Sequence, residues 1–344
     1  MLRAAMFYGP NHLSVEDVEI EALQDGELLI QIEAALTCGT DVKTYRRGHP
    51  VLFSRLPSRF GHEFAGTVVE AGSRVQNFQK GDRVVAVNSS PCYQCIFCKR
   101  GMYSMCQNLT FLNGAYAEYI VVPRKIVEVN TYVIPRDISF EYAAMAEPLS
   151  CVVHGMEYTN LNLGDTVVVL GAGPIGLYFV MLAKLRGATV ISVDLSKHRL
   201  DVATACGADH VIESSNLETS QRAIFELTDA LGADVVIEAV GIPETWEQAI
   251  SYVRPGGTVI FFGGTKAQSK VAIDANAVHY KQLTLSGVFH HTPEMVRRAV
   301  NLIFNKKINV APLISGEFPL EQVENAINLM GSQRGLKYVV HPQP

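Results

Sequence analysis

Between Thr166 and Val288 six short apolar runs are separated by segments of helical periodicity. Thr166-Val167-Val168-Val169-Leu170 has the almost unbroken apolar, β-branched make-up of a strand covered on both faces. Further runs lie at 188–193, 209–212, 233–238, 257–262 and 283–288, with helices expected near 174–186, 196–206, 218–230 and 244–253. Strands and helices alternating at this spacing fold as a parallel sheet with helices on both faces, so an α/β fold with a doubly wound domain is expected. Gly171-Ala172-Gly173-Pro174-Ile175-Gly176 follows the first run directly and opens the first helix. There, the three glycines of G-x-G-x-x-G allow a tight turn, close approach of backbone to a pyrophosphate, and close helix–strand packing. The N–H groups of the helix N-terminus then face the phosphates. Asp194 ends the second run, 18 positions after Gly176. A carboxylate there accepts hydrogen bonds from the adenosine ribose and repels a 2′-phosphate, which favours NAD over NADP. The alternative role is a helix cap ahead of Leu195-Ser196, and Lys197 and Arg199 are the nearby groups that would admit NADP.

The first 150 residues read differently. Strands are expected at 27–32, 64–69, 82–87 and 115–122, giving a compact β-rich domain with long loops. After the α/β region come helices near 293–305 and 320–330 and a strand at 337–340. A chain of 344 residues suits two domains. With 18% charged residues, a net charge of −5 and no basic block, nothing points to nucleic acid or an anionic membrane as partner. Met1 to Met6 lack the apolar core of a signal peptide. The longest uncharged apolar stretch, Val167 to Ala183, is broken by Gly171, Gly173, Pro174 and Gly176, which argues against a membrane span. A cytoplasmic protein is expected.

Seven cysteines, an odd number in a long chain, speak against a disulfide framework. Cys92-x2-Cys95-x2-Cys98-x7-Cys106 places four thiols in one loop, able to enclose a zinc ion with no open position, which makes that zinc structural. A dispersed second set comprises Cys38, the pair His62-Glu63, and Glu147. Taken singly, each has an ordinary role in core or surface. Together they supply the thiolate, imidazole and carboxylate donors of an open, catalytic zinc site.

Cys38-Gly39-Thr40-Asp41-Val42, Gly61-His62-Glu63, the four-cysteine loop, Glu147-Pro148-Leu149-Ser150 and the glycine motif occur in an order and spacing that resembles the zinc-containing medium-chain alcohol dehydrogenases. The likeness is greatest to the sorbitol, threonine and butanediol dehydrogenase branch and covers essentially the whole chain. It implies a GroES-like catalytic domain (1–150 and 289–344), a Rossmann NAD-binding domain (151–288), and an active site in the cleft. It implies two zinc ions per chain, the catalytic one at Cys38 and His62 with Glu63 and Glu147 as direct or exchangeable ligands. Thr40 resembles the hydroxyl that takes the alcohol proton, and Asp41 the partner orienting His62 through its second ring nitrogen. Phe262-Gly263-Gly264 and Val288-Phe289-His290 would line the nicotinamide, with Arg199 near the adenosine. The chain departs from many relatives at Lys43, where His forms the outer end of the proton relay, and an ordinary lysine is a poor proton acceptor at neutral pH. Thr44 and His290 replace a Tyr and an Arg that face sugar hydroxyls in polyol dehydrogenases. The activity so implied is hydride transfer between NAD and a secondary alcohol or polyol, including threonine or butanediol, in a homodimer or homotetramer. A reading of another class is a non-catalytic, zinc-stabilised binding protein, which would hold one zinc rather than two.

Overall fold

The computed structural model describes residues 1–49, 53, 55–214 and 216–343. It forms two compact units, 1–150 with 292–344, and 151–291, so that residues 289–291 fall in the second unit.

The strand Leu28–Leu36 organises the first unit. Leu28, Ile30 and Ile32 alternate with half-exposed residues, the period of a strand with one face in a core. It pairs antiparallel with Phe64–Ala71, with Tyr119–Val122 and with Lys337–His341. The sheet runs Thr131–Val133, Arg83–Ala86, Phe64–Ala71, Leu28–Leu36, Lys337–His341, Ile314–Pro319. Two register facts matter for chemistry. Ala35 lies opposite Phe64, which brings the chain leaving one strand at Thr37-Cys38 beside the chain entering the next at His62-Glu63. Val339 lies opposite Leu36, which sets Lys337 at the same edge. Phe7, Phe60, Phe64 and Tyr116 are almost fully buried beneath this edge. Each such side chain contributes on the order of 1.5–3 kcal/mol of burial.

The strand expected at 115–122 forms only over Tyr119–Val122. Ahead of it the backbone bonds elsewhere: Tyr116 N donates to Phe60 O at 3.0 Å and Ala5 N to Tyr116 O at 2.8 Å. Ala117 keeps one isolated bridge to Ala4. The hairpin Leu2–Gly9 with His12–Val18 and the helix Gly39–Arg47 are further elements that apolar periodicity did not mark.

The second unit carries six parallel strands: Thr166–Leu170, Thr189–Asp194, His210–Glu213, Ala233–Glu238, Val253–Phe261 and Thr284–Gly287. They lie in the order third, second, first, fourth, fifth, sixth, the doubly wound arrangement whose switch point falls between the first and fourth strands. The helix expected to reach 230 stops at Leu227, because Asp229 and Ala230 turn into the left-handed region at φ 49° and 61°. Among the described residues no helix is long and apolar enough to cross a membrane.

Candidate functional site

Cys38 stands at the head of the helix Gly39–Arg47 with extended backbone (φ −125°, ψ 151°). Its sulfur accepts from Thr40 N at 3.5 Å, and its own N–H donates to Asp41 Oδ2 at 3.0 Å. That reciprocal cap fixes both the thiol and the aspartate. Asp41 Oδ1 lies 3.2 Å from His62 Nδ1, which leaves Nε2 as the ring nitrogen able to ligate. Gly61 turns the chain into His62 at φ 86°, and a Cβ there would lie 2.7 Å from the Tyr116 ring. Ligand atoms of Cys38, His62 and Glu63 all lie within 4.8 Å of one another.

Two side chains that sequence reasoning did not single out complete the cluster. Lys337 Nζ lies 2.6 and 2.9 Å from the two Glu63 oxygens and donates to Thr37 O at 2.7 Å, with both side chains buried. Tyr116 Oη donates to Asp41 Oδ2 at 2.6 Å. Their surroundings decide their charges. Burial, then the neighbouring Glu63, push the Cys38 thiol up. Burial works against a charged His62, but Asp41 and Cys38 outweigh it and hold the imidazole well above its usual range. Burial raises Glu63 even though Lys337 pulls the other way. Burial opposes the Lys337 charge, and Glu63 more than compensates.

Glu147, on the helix Ala146–Glu157, is not one of the three clustered ligands, although the charges of His62, Glu63, Lys337 and Asp41 all act on it. Burial pushes it up to about 7. Thr40 is half-buried and Lys43 exposed on the helix that starts at Cys38. A thiol, an imidazole oriented by a carboxylate, and a buried acid are donors suited to a divalent zinc ion, whose charge would counter the upward push of burial on the Cys38 thiol.

The four-cysteine loop is built from its own backbone. Gln94 N and Cys95 N point at Cys92 Sγ at 3.5 and 3.4 Å, and Cys92 N at Cys106 Sγ at 3.2 Å. The two N–H groups on Cys92, from Gln94 first, bring that thiol down to about 6. Cys95 and Cys106 sulfurs are 3.9 Å apart. Four Zn–S bonds of about 2.3 Å in a regular tetrahedron require sulfur separations of about 3.8 Å. The donor set therefore fits zinc.

In the second unit Gly171 turns at φ 100°, and a Cβ on Gly176 would lie 1.7 Å from Gly171 O, so only glycine fits. A Cβ on Gly173 would meet nothing nearer than Arg199 Nη1 at 3.9 Å, leaving the backbone open for close approach by a ligand. Pro174 and Ile175 start the helix Pro174–Leu185. Asp194 ends its strand with Oδ2 accepting from Ala172 N at 2.7 Å and Oδ1 from Ser196 N at 2.9 Å. The helix cap is Ser196, whose hydroxyl accepts from Arg199 N. Asp194 instead ties the glycine turn to the end of the second strand. Phe262-Gly263-Gly264 and Val288-Phe289-His290 lie at the carboxyl ends of the fifth and sixth strands. His290 adopts φ 58°, and its carbonyl accepts from His154 Nδ1 at 2.7 Å.

Comparison with known proteins gives a consistent likeness. Residues 174–305 match the model of zinc-binding dehydrogenases, and 24–131 that of the alcohol dehydrogenase GroES-like domain. The chain is 31% identical over 342 residues to a sorbitol dehydrogenase of Halalkalibacterium halodurans, covering 97% of each. It is 32% identical to an erythritol/L-threitol dehydrogenase of Mycolicibacterium smegmatis, covering 96% of this chain and 94% of the other. A Sinorhizobium meliloti protein, described as a zinc-binding dehydrogenase and solved bound to NADP, superposes with a TM-score of 0.91 at 31% identity, over 99% of both chains.

Proposed function

The chain belongs to the zinc-containing medium-chain alcohol dehydrogenases, in their sorbitol-dehydrogenase-like branch, and from that premise we propose that it transfers a hydride between NAD and a secondary alcohol or polyol. The observation that carries the reading is the cluster of Cys38, His62 and Glu63, with Asp41 bonded behind the imidazole. Cys38, His62 and a carboxylate from Glu63 or Glu147 would hold the catalytic zinc, and Cys92, Cys95, Cys98 and Cys106 a structural one. The first ion supplies a Lewis acid that lowers the pKa of a hydroxyl, and the nicotinamide supplies the hydride acceptor.

The chain's own residues do the rest. Asp41 keeps the His62 ring in the tautomer and orientation that present Nε2. Lys337 neutralises Glu63, so the pocket need not carry two uncompensated acids. Thr40 Oγ1 would take the alcohol proton as its own hydroxyl proton passes on to water along the exposed flank of the same helix, where Lys43 lies. Gly171, Gly173 and Gly176 with the helix that follows receive the pyrophosphate, Asp194 the adenosine ribose, and Arg199 lies beside the same turn. Asp194 selects NAD over NADP by like-charge repulsion of a 2′-phosphate. His290 in place of a guanidinium favours a smaller, less hydroxylated substrate than sorbitol. The working form would be a cytoplasmic homodimer or homotetramer, as the family resemblance implies.

Purified, zinc-loaded enzyme is expected to reduce NAD when presented with one of a panel of secondary alcohols, diols, polyols and threonine, read by NADH absorbance. Two zinc ions per chain are expected by elemental analysis. A single zinc with no turnover on the panel would point to the binding-protein reading. Asp194→Ala should lower kcat/KM for NAD much more than for NADP, and equal losses would remove the ribose assignment.

A further inference from the structure

In a doubly wound sheet the first and last three strands form two mononucleotide-binding halves, and ligands lie off the carboxyl ends of the strands. The glycine turn and Asp194 belong to the first half. The carboxyl ends of the fourth and fifth strands, at Glu238 and Phe261, belong to the second, which receives the nicotinamide riboside. Glu238 is fully buried, and the two turns at that end meet on it. Its Oε1 accepts from Val240 N at 2.9 Å, Gly241 N at 2.8 Å and Thr245 Oγ1 at 2.7 Å. Its main-chain oxygen accepts from Phe262 N at 3.0 Å and Gly263 N at 2.9 Å. One residue thus holds the 239–242 turn by its side chain and the 262–264 turn by its backbone.

The two turns interlock without slack. A Cβ on Gly241, at φ 86°, would lie 2.7 Å from Gly264 O. A Cβ on Gly263 would lie 2.3 Å from Gly241 N and 2.6 Å from Glu238 Oε2. From the other side Trp246 Nε1 donates to Gly263 O at 3.1 Å while its indole stacks on Phe261 with centroids 4.2 Å apart. A buried acid is costly unless donors meet its charge. The donors here are N–H and O–H groups of the turn and the helix after it, and all three meet Oε1 while Oε2 is buried without a partner, so the cost is offset in part and only while the turn keeps this shape.

We infer that Glu238 is a positioning residue for the nicotinamide half of the cofactor: it locks the 239–242 and 262–264 turns in the form that receives the nicotinamide riboside and leaves the adenosine half untouched. This rests on the dinucleotide reading above. Calorimetric titration of the zinc-loaded enzyme with NADH, and with ADP, which lacks the whole nicotinamide riboside, separates the two halves. Glu238→Ala is expected to raise the NADH Kd about tenfold and the ADP Kd by no more than about twofold. Glu238→Gln keeps an oxygen for the three donors and should recover most of the NADH affinity. Thr245→Val removes one donor without exposing the acid, and should give a smaller loss with the same selectivity even if the alanine variant does not fold. Trp246, the single tryptophan, should change its emission with NADH and not with ADP. Equal losses for both ligands, or NADH affinity unchanged in Thr245→Val and Glu238→Gln together with the alanine variant, overturn the inference. A wild-type chain that binds neither ligand overturns the dinucleotide reading itself, before any variant is made.

Discussion

The two cysteine-bearing clusters of the first unit are made in opposite ways. Cys92, Cys95, Cys98 and Cys106 occupy one short stretch, and the N–H groups that aim at their sulfurs come from the same stretch. The other cluster draws Cys38 from the end of one strand, His62 and Glu63 from the start of its neighbour, and a counter-charge from Lys337, 274 positions along the chain from Glu63. The first needs only its own loop. The second exists because a sheet register brings three distant segments to one edge, and because buried charges there balance one another. A closed set of four thiolates leaves no coordination position for a substrate, whereas a mixed set of thiolate, imidazole and acid leaves room for one. Under the proposed function the contrast is therefore between a staple and a reaction centre.

The sharpest way to break that contrast is to remove one sulfur from each. Cys38→Ser should bring turnover to the detection limit while NADH binding and the melting temperature stay close to wild type. Cys98→Ser should act on stability first, lowering Tm by several degrees, since loss of a structural metal is among the mechanisms that give large destabilisation. Activity per folded molecule should survive better than in Cys38→Ser. A stable, inactive Cys98→Ser protein and an active Cys38→Ser protein would exchange the two roles.

This difference also explains what could be read without a structure. The four-cysteine spacing and the glycine motif are local, so their geometry follows from neighbours in sequence; Gly176 against Gly171 O is one such case. Asp194 was legible as a strand-end acid, but its bond to Ala172 N was not, since that depends on how the first and second strands align. Lys337 heads the apolar run Lys337-Tyr338-Val339-Val340 and reads as an ordinary strand-end charge until Val339 is placed opposite Leu36. Glu238 likewise looks like the polar end of a strand, and only the pairing of fourth and fifth strands reveals that two turns hang on it. What stayed hidden is tertiary charge balance, which has no sequence period.

Charge balance gives the next test. Lys337→Met keeps the stem and removes the cation, leaving Glu63 buried without its partner. Breaking a buried pair from one side costs about 3–5 kcal/mol. The variant should unfold at markedly lower urea or temperature, and Glu63→Gln added to it should recover part of the loss. If the double variant were no better than the single, the ion pair would not be what holds this edge together. The four-cysteine loop, far simpler electrostatically, should keep its zinc in both variants.

The smallest expected effect is at Tyr116, and it separates orientation from stability. Its hydroxyl donates to Asp41 Oδ2, which also accepts from Cys38 N, while Oδ1 faces His62 Nδ1. Tyr116→Phe keeps the ring that packs against Phe60 and Gly61, so no cavity opens. Asp41 keeps its backbone donor and its histidine, and loses only the group that steadies the second oxygen. Outer partners of this kind typically change metal affinity by about 10–100-fold, and with one donor retained the low end, about tenfold, is expected. Chelator competition should show that loss at one zinc per chain and none at the other, with Tm nearly unchanged. A loss shared equally by both zincs would mean that the two clusters are not independent, and the contrast between staple and reaction centre would have to be given up.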